Sequence, residues 1–186
     1  MDSALFDFAE AAMGKNTQMS WSISADVLRR QVSSVFVRCS NRDLTAAEAC
    51  DVAMDFVMAR VTNMLDIFTD LFATLESRID VQMHGVEIPA LLELKEFFLG
   101  LNSDAQWATD SKITRRELQH LFEKVYSGEY SATTGVCVFC DTITSKKEYY
   151  LELLHGMCLR LTEQIVEAKQ SQETQHNPER TANGDD

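Results

Sequence analysis

Cys137, Cys140, His155 and Cys158 are the side chains of this chain best suited by type and spacing to chemistry. They read C-x2-C, then fourteen residues, then H-x2-C. Three thiolates and an imidazole in two tight pairs suit a tetrahedral zinc ion. Four protein ligands leave no open coordination position, so such an ion is structural rather than catalytic. The first pair can wrap a metal only if the backbone turns there, and Gly135 before it and Asp141 after it suit a turn. Ser145-Lys-Lys-Glu148 has the form of a capping box, which predicts a helix from Lys146. On that helix His155 and Cys158 share a face, being three residues apart. His155 would lie roughly 13 Å along the axis, and five extended steps from Cys140 to Ser145 span about 17 Å. The chain can therefore bring both pairs to one ion.

Over residues 135–160 this arrangement resembles zinc fingers that combine a turn-borne cysteine pair with a helix-borne second pair. The resemblance implies Zn2+ as a structural cofactor of the C2HC type. The fourteen-residue spacer departs slightly from the commonest finger spacing. A competing reading makes two of these cysteines buried thiols, a common fate of free cysteine, and His155 an ordinary helix residue.

The elements that must position these residues read as helices. Among 186 residues there are seven glycines and two prolines, too few for the turns of an all-β fold. Hydrophobic residues make up 45 %, with ten Phe and eight Met, enough for a core. Leu5, Phe6, Phe8, Ala9, Ala12 and Met13 have helical spacing up to Gly14. Ser24 can cap a helix carrying Val27, Leu28, Val32, Val35 and Phe36, and Thr45-Ala-Ala-Glu48 is a second capping box. From Ala49 to Leu75 an apolar stripe keeps helical spacing without Gly or Pro, which predicts a helix of more than thirty residues. Its wide stripe favours a central core helix over a coiled-coil or dimer seam. Gly85 breaks this pattern, and Pro89 fits the first turn of the next helix. Residues 102–111 read as a loop interrupted by Trp107. Thr114-Arg-Arg-Glu117 is a third capping box, and residues 126–135 read as a loop.

The expected fold is thus all-α: a helical bundle around one long central helix over residues 1–130. A zinc-stapled turn and helix at 131–169 would pack on it, followed by a disordered polar tail at 170–186 that lacks large apolar residues.

Charge and cysteine usage narrow the function. Seventeen basic residues against 29 acidic give a formal charge of −12, which repels phosphate backbones. On the candidate zinc helix Lys146, Lys147 and Arg160 alternate with Glu148, Glu152 and Glu163, leaving no basic stripe for nucleic acid. Five cysteines do not make a secreted disulfide framework; Cys39 and Cys50 read as core thiols. The acidic start MDSALFDF is unlike a signal peptide, and no apolar run reaches membrane-spanning length. These features predict an intracellular protein without membrane insertion.

Two stretches resemble halves of EF-hand loops. Ile113 precedes Glu117 as the hydrophobic residue precedes the last loop ligand, with Asn102 and Asp104 upstream, and residues 37–48 have similar spacing. Both depart from the motif, with Val37 and Cys39 where oxygen ligands belong and Ser111 where glycine makes the turn. No phosphate-cradling glycine loop, H-E-x-x-H or G-x-S-x-G occurs. Cys158 and His155 lie mid-helix, without the cationic setting of a reactive thiolate, and Asp51, Asp55 and Asp66 have no accompanying histidine. The expectation is a non-catalytic regulatory or adaptor protein that recognises protein partners through a helical face, homo-oligomers included. The alternative is a divergent calcium-sensor-like protein with degenerate loops. A third reading, nucleic-acid binding through the finger, is disfavoured by charge. Phe97, Trp107, Phe122 and Tyr126 could contact a partner if exposed, although such aromatics are more often core.

Overall fold

A computed structural model describes residues 3–83 and 86–176, and no strand occurs among them. The chain is all-α. In order it forms α1 (Ser3–Ala12), a 3-10 turn (Thr17–Met19), α2 (Ser20–Ile23), α3 (Ala25–Ser40), α4 (Ala46–Met83), α5 (Pro89–Phe98), α6 (Ser103–Thr109), α7 (Ser111–Ser127) and α8 (Ala132–His176). No helix among the described residues is long and apolar enough to cross a membrane.

Local chemistry sets most of the boundaries. Gly14, at φ 72°, supplies the left-handed residue after α1. The Ser24 hydroxyl accepts from Val27 N at 3.3 Å at the start of α3. The Thr45–Glu48 box closes as its spacing predicts: Glu48 Oε2 accepts from Thr45 N at 2.8 Å, and Thr45 Oγ1 accepts from Glu48 N at 3.2 Å. Pro89 occupies the first turn of α5, and Gly128, at φ 84°, caps α7. The helix break expected at Gly85 lies outside the described residues.

Three other expected boundaries are displaced. The stretch 102–111 is mostly helical, because Asn102 caps α6 and Asp110 caps α7 at once. Asp110 Oδ1 takes Lys112 N at 2.6 Å and Ile113 N at 3.1 Å. The α7 helix therefore starts three residues before Thr114, which is buried inside it. At the third site Ser131 starts α8 by accepting from Thr134 N at 3.1 Å. That helix then runs unbroken through Gly135, Cys137 and the Ser145-Lys-Lys-Glu148 stretch to His176. The expected turn at 135–141 and helix start at Lys146 are corrected accordingly. A stripe of Val136, Phe139, Cys140, Ile143, Tyr150, Leu154, Met157, Cys158, Leu161 and Ile165 is buried along α8, and a helix must continue to keep it on one side. The helix also passes Lys169, where the polar tail was expected to begin; residues 177–186 lie outside the described residues.

The two long helices, α4 of 38 residues and α8 of 45, touch each other sparsely and are joined by the shorter ones. Two apolar clusters result. One gathers α3, the first half of α4, α7 and the start of α8 around Phe36, Phe122 and Phe139. The other gathers α1, the second half of α4, α5, α6 and the rest of α8 around Phe8, Phe68 and Leu154. The buried charges Arg60, Lys146 and Lys147 fall between the two clusters. Lys147 Nζ donates to Ser22 O at 3.3 Å and Ile23 O at 2.6 Å. Lys146 Nζ donates to Trp107 O at 2.7 Å, pairs with Glu117 at 3.0 Å and lies over the Trp107 ring.

Candidate functional site

All four expected zinc ligands stand on α8. Cys140 and His155 are fifteen residues apart on that helix, an axial separation of about 22 Å, and Cys137 and Cys158 are about 31 Å apart. A zinc ion holds its ligands at about 2.0–2.3 Å. The structure therefore keeps each i, i+3 pair together and does not bring the two pairs to one ion. Among the described residues no group of three or more His, Cys, Asp or Glu side chains could hold a metal. His155 Nδ1 is buried without a hydrogen-bond partner, but Cys158 is its only neighbour of the expected set. Holding zinc with all four would require α8 to break between residues 140 and 155.

The EF-hand-like stretches do not form ligand loops either. Residues 37–40 belong to α3 and 103–109 to α6, so positions that would turn around calcium are helical. Phe97 and Phe122 are core residues. Trp107 and Tyr126 are partly exposed, Trp107 edge-on to Tyr149 and Tyr126 beneath the Arg42 guanidinium.

The thiols are mostly buried. Cys39 and Cys50 are fully enclosed, as expected of core thiols, with sulfurs 3.7 Å from Phe122 O and Arg115 O respectively. Burial raises the pKa of Cys39, Cys140 and Cys158, and pushes Cys50 up to about 11 from an ordinary value near 9. At Cys50 the folded state keeps a proton that the unfolded chain releases above pH 9. Its contribution is therefore complete below pH 9 and is lost as pH rises towards 11. Lys147 has the opposite sign: burial, with Arg60 nearby, pulls it down to about 8. Between pH 8 and 10.5 the unfolded chain holds the extra proton, so this lysine costs less as pH rises. The thiols outnumber it. Stability followed by urea unfolding is expected to decline from pH 9 to 11, and Cys50→Ser to remove about 2–3 kcal/mol of that decline. A parallel decline in both proteins would contradict the assignment.

A recessed surface lies elsewhere, where α5, the α5–α6 connection and α8 meet. Pro89 begins α5, and Gln164 Oε1 of α8 accepts from Ala90 N at 2.9 Å, fixing that end of α5 against α8. Gly100, at φ 74°, reverses the chain after α5, and Asn102 restarts it as α6. Between these elements lies a cleft of about 580 Å³. Glu93, Glu96, Asp104 and Glu152 line it, with Arg160 as its basic residue. Arg160 is engaged by Glu93 at 2.8 Å, so the cleft remains anionic. Gly156 forms part of the wall, where an added Cβ would meet an Arg160 nitrogen at 3.9 Å. Across Asn102 a second, more apolar hollow of about 250 Å³ is lined by residues including Leu65, Phe97, Phe98 and Tyr150. Leu99 and Leu101 of the connection are 66 % and 69 % exposed, well above the usual state of leucine. Sequence reasoning passed over this site. Its signal was Leu-Gly-Leu directly before the Asn102 cap: Leu101 has the helical spacing of Leu91, Leu94 and Phe98, but α5 ends at Phe98 and leaves it outside the helix.

No protein-family model, curated protein or solved structure matches the chain.

Proposed function

We propose that this protein is a non-catalytic regulatory or adaptor protein that binds a basic, leucine-bearing segment of a protein partner across the α5–α6 connection. The observation that carries the reading is the pairing, around Asn102, of an anionic cleft, which the exposed Leu101 helps to line, with a neighbouring apolar hollow. Apolar anchors supply most of the affinity of an interface, and a charged surround selects the partner and speeds encounter. The formal charge of −12 favours the same partner sign at long range. The alternation of acids and leucines suits an amphipathic helix, which offers apolar side chains at i and i+4 with basic residues beside them.

The test is a labelled helical peptide with leucines at i and i+4 flanked by lysines, titrated by fluorescence anisotropy. Glu96→Lys combined with Leu101→Ser is expected to weaken binding by about tenfold or more, and added salt to weaken it further. A peptide with glutamates in place of the lysines is expected not to bind. Equal binding by the wild type and the double variant would overturn the assignment.

A further inference from the structure

We propose that Cys137 and Cys140 form an oxidisable dithiol, closed by a peroxide into an intrahelical disulfide that a dithiol reductant reopens. The two residues lie in the second and third turns of α8, three positions apart on one face. On a regular helix this places their Cα atoms about 5 Å apart, inside the span a disulfide bridges. Their Cβ atoms, about 5–6 Å apart in a helix, must approach to about 3.8 Å. Closure therefore tightens the helix locally. Strained bridges of this kind are the readily reduced ones.

The environment assigns the two sulfurs different parts. Cys137 is half-buried, and Arg29 Nη1 of α3 lies 3.7 Å from its Sγ. Cys140 is 2 % exposed, so it meets Cys137 but not a thiol of another molecule. Hydrogen peroxide reaches Cys137, whose sulfur attacks one oxygen. The O–O bond breaks, the sulfur becomes a sulfenic acid, and the other oxygen leaves as water, with the Arg29 guanidinium beside the negative charge that develops on it. The Cys140 sulfur then attacks the Cys137 sulfur. An S–S bond forms, the S–O bond breaks, and the hydroxyl leaves as water with the Cys140 proton. Two thiols have lost two electrons and two hydrogens, and one peroxide has become two waters. Cys39, Cys50 and Cys158 are 0–2 % exposed and offer the oxidant no comparable access.

Tryptic cleavage after Lys124 and Lys146 isolates both cysteines in residues 125–146, without the other three. After the full-length protein is treated with hydrogen peroxide, this peptide is expected to be lighter by two hydrogens and closed to alkylation. Dithiothreitol should restore both properties. In Cys140→Ser, dimedone should capture a sulfenic acid at Cys137, and Arg29→Gln should slow closure of the native pair by about tenfold. Mapping in the wild-type protein stands even if a variant folds poorly. Two alkylatable thiols after treatment, a bridge between two chains, or wild-type Cys137 accumulating as sulfinic acid would each overturn the proposal.

Discussion

Gly135→Ala is expected to lower the unfolding free energy by about 2 kcal/mol, although alanine is the better helix former by about 1 kcal/mol. The two effects oppose each other, and the contact distances decide between them. A Cβ at Gly135 would stand 2.7 Å from a Phe36 ring carbon and 2.7 Å from a Val125 methyl. Neither neighbour can withdraw easily. Phe36 is fully buried, stacked on Phe122 at 4.4 Å and edge-on to Phe139 at 5.6 Å. Val125 is 1 % exposed. The extra methyl must therefore move α8 away from α3 and α7 or force a rotamer. Chemical denaturation of Gly135→Ala, Phe36→Leu and the double variant measures this. The smaller leucine should recover part of the alanine cost, so the double variant should be more stable than the sum of the single losses predicts. A stabilised Gly135→Ala would mean that helix propensity wins and that the approach is looser than described.

Gly135 also shows why the C-terminal third was misread from sequence. Glycine permits a turn and equally permits close packing of helices. Beside a C-x2-C pair the turn is the natural choice. The contrary signal was present in Val136, Phe139, Cys140 and Ile143, whose helical spacing joins the later stripe at Tyr150 without a shift of phase. What interrupted that stripe was Lys146 and Lys147, and two lysines read as surface. Both are buried because backbone carbonyls of Trp107, Ser22 and Ile23 receive them. Those partners are distant in sequence, so no local pattern announces them.

Helices governed by their own ends were legible. Ser24, Thr45 with Glu48, and Pro89 act within a few residues of where they stand, and each sits where its pattern placed it. Thr114 failed because Asp110, four residues earlier, is a competent cap in its own right. The recessed site was harder to see. Glu93, Glu96, Asp104 and Glu152 come from three segments, and only the packing of α5 on α8 sets them around one cleft.

Arg60→Ala is expected to cost about 3 kcal/mol or more, the largest loss among the polar residues. Arg60 is 2 % exposed. Its Nη1 donates to Ser24 O at 3.1 Å and Ser22 O at 3.4 Å, while Nε and Nη2 converge on Gln31 Oε1 at 3.2 and 3.0 Å. The guanidinium also lies 4.9 Å from the centre of the Trp21 ring. This cation is held by carbonyl dipoles and an aromatic face, and none of these partners is a carboxylate. Burial lowers its pKa, yet an arginine remains charged at neutral pH. Alanine would leave the Ser24 carbonyl and the Gln31 amide to find other partners, and would open a space between the two apolar clusters. Arg60→Lys is expected to recover less than half of the loss, since one ammonium cannot reproduce a planar fork that reaches Ser24 and Gln31 together. The same network ties α2 and α3 to the middle of α4, so limited proteolysis of Arg60→Ala should cut first near residues 16–24. Cleavage unchanged from the wild type, with Arg60→Lys fully stable, would show that the charge alone matters and the fork does not.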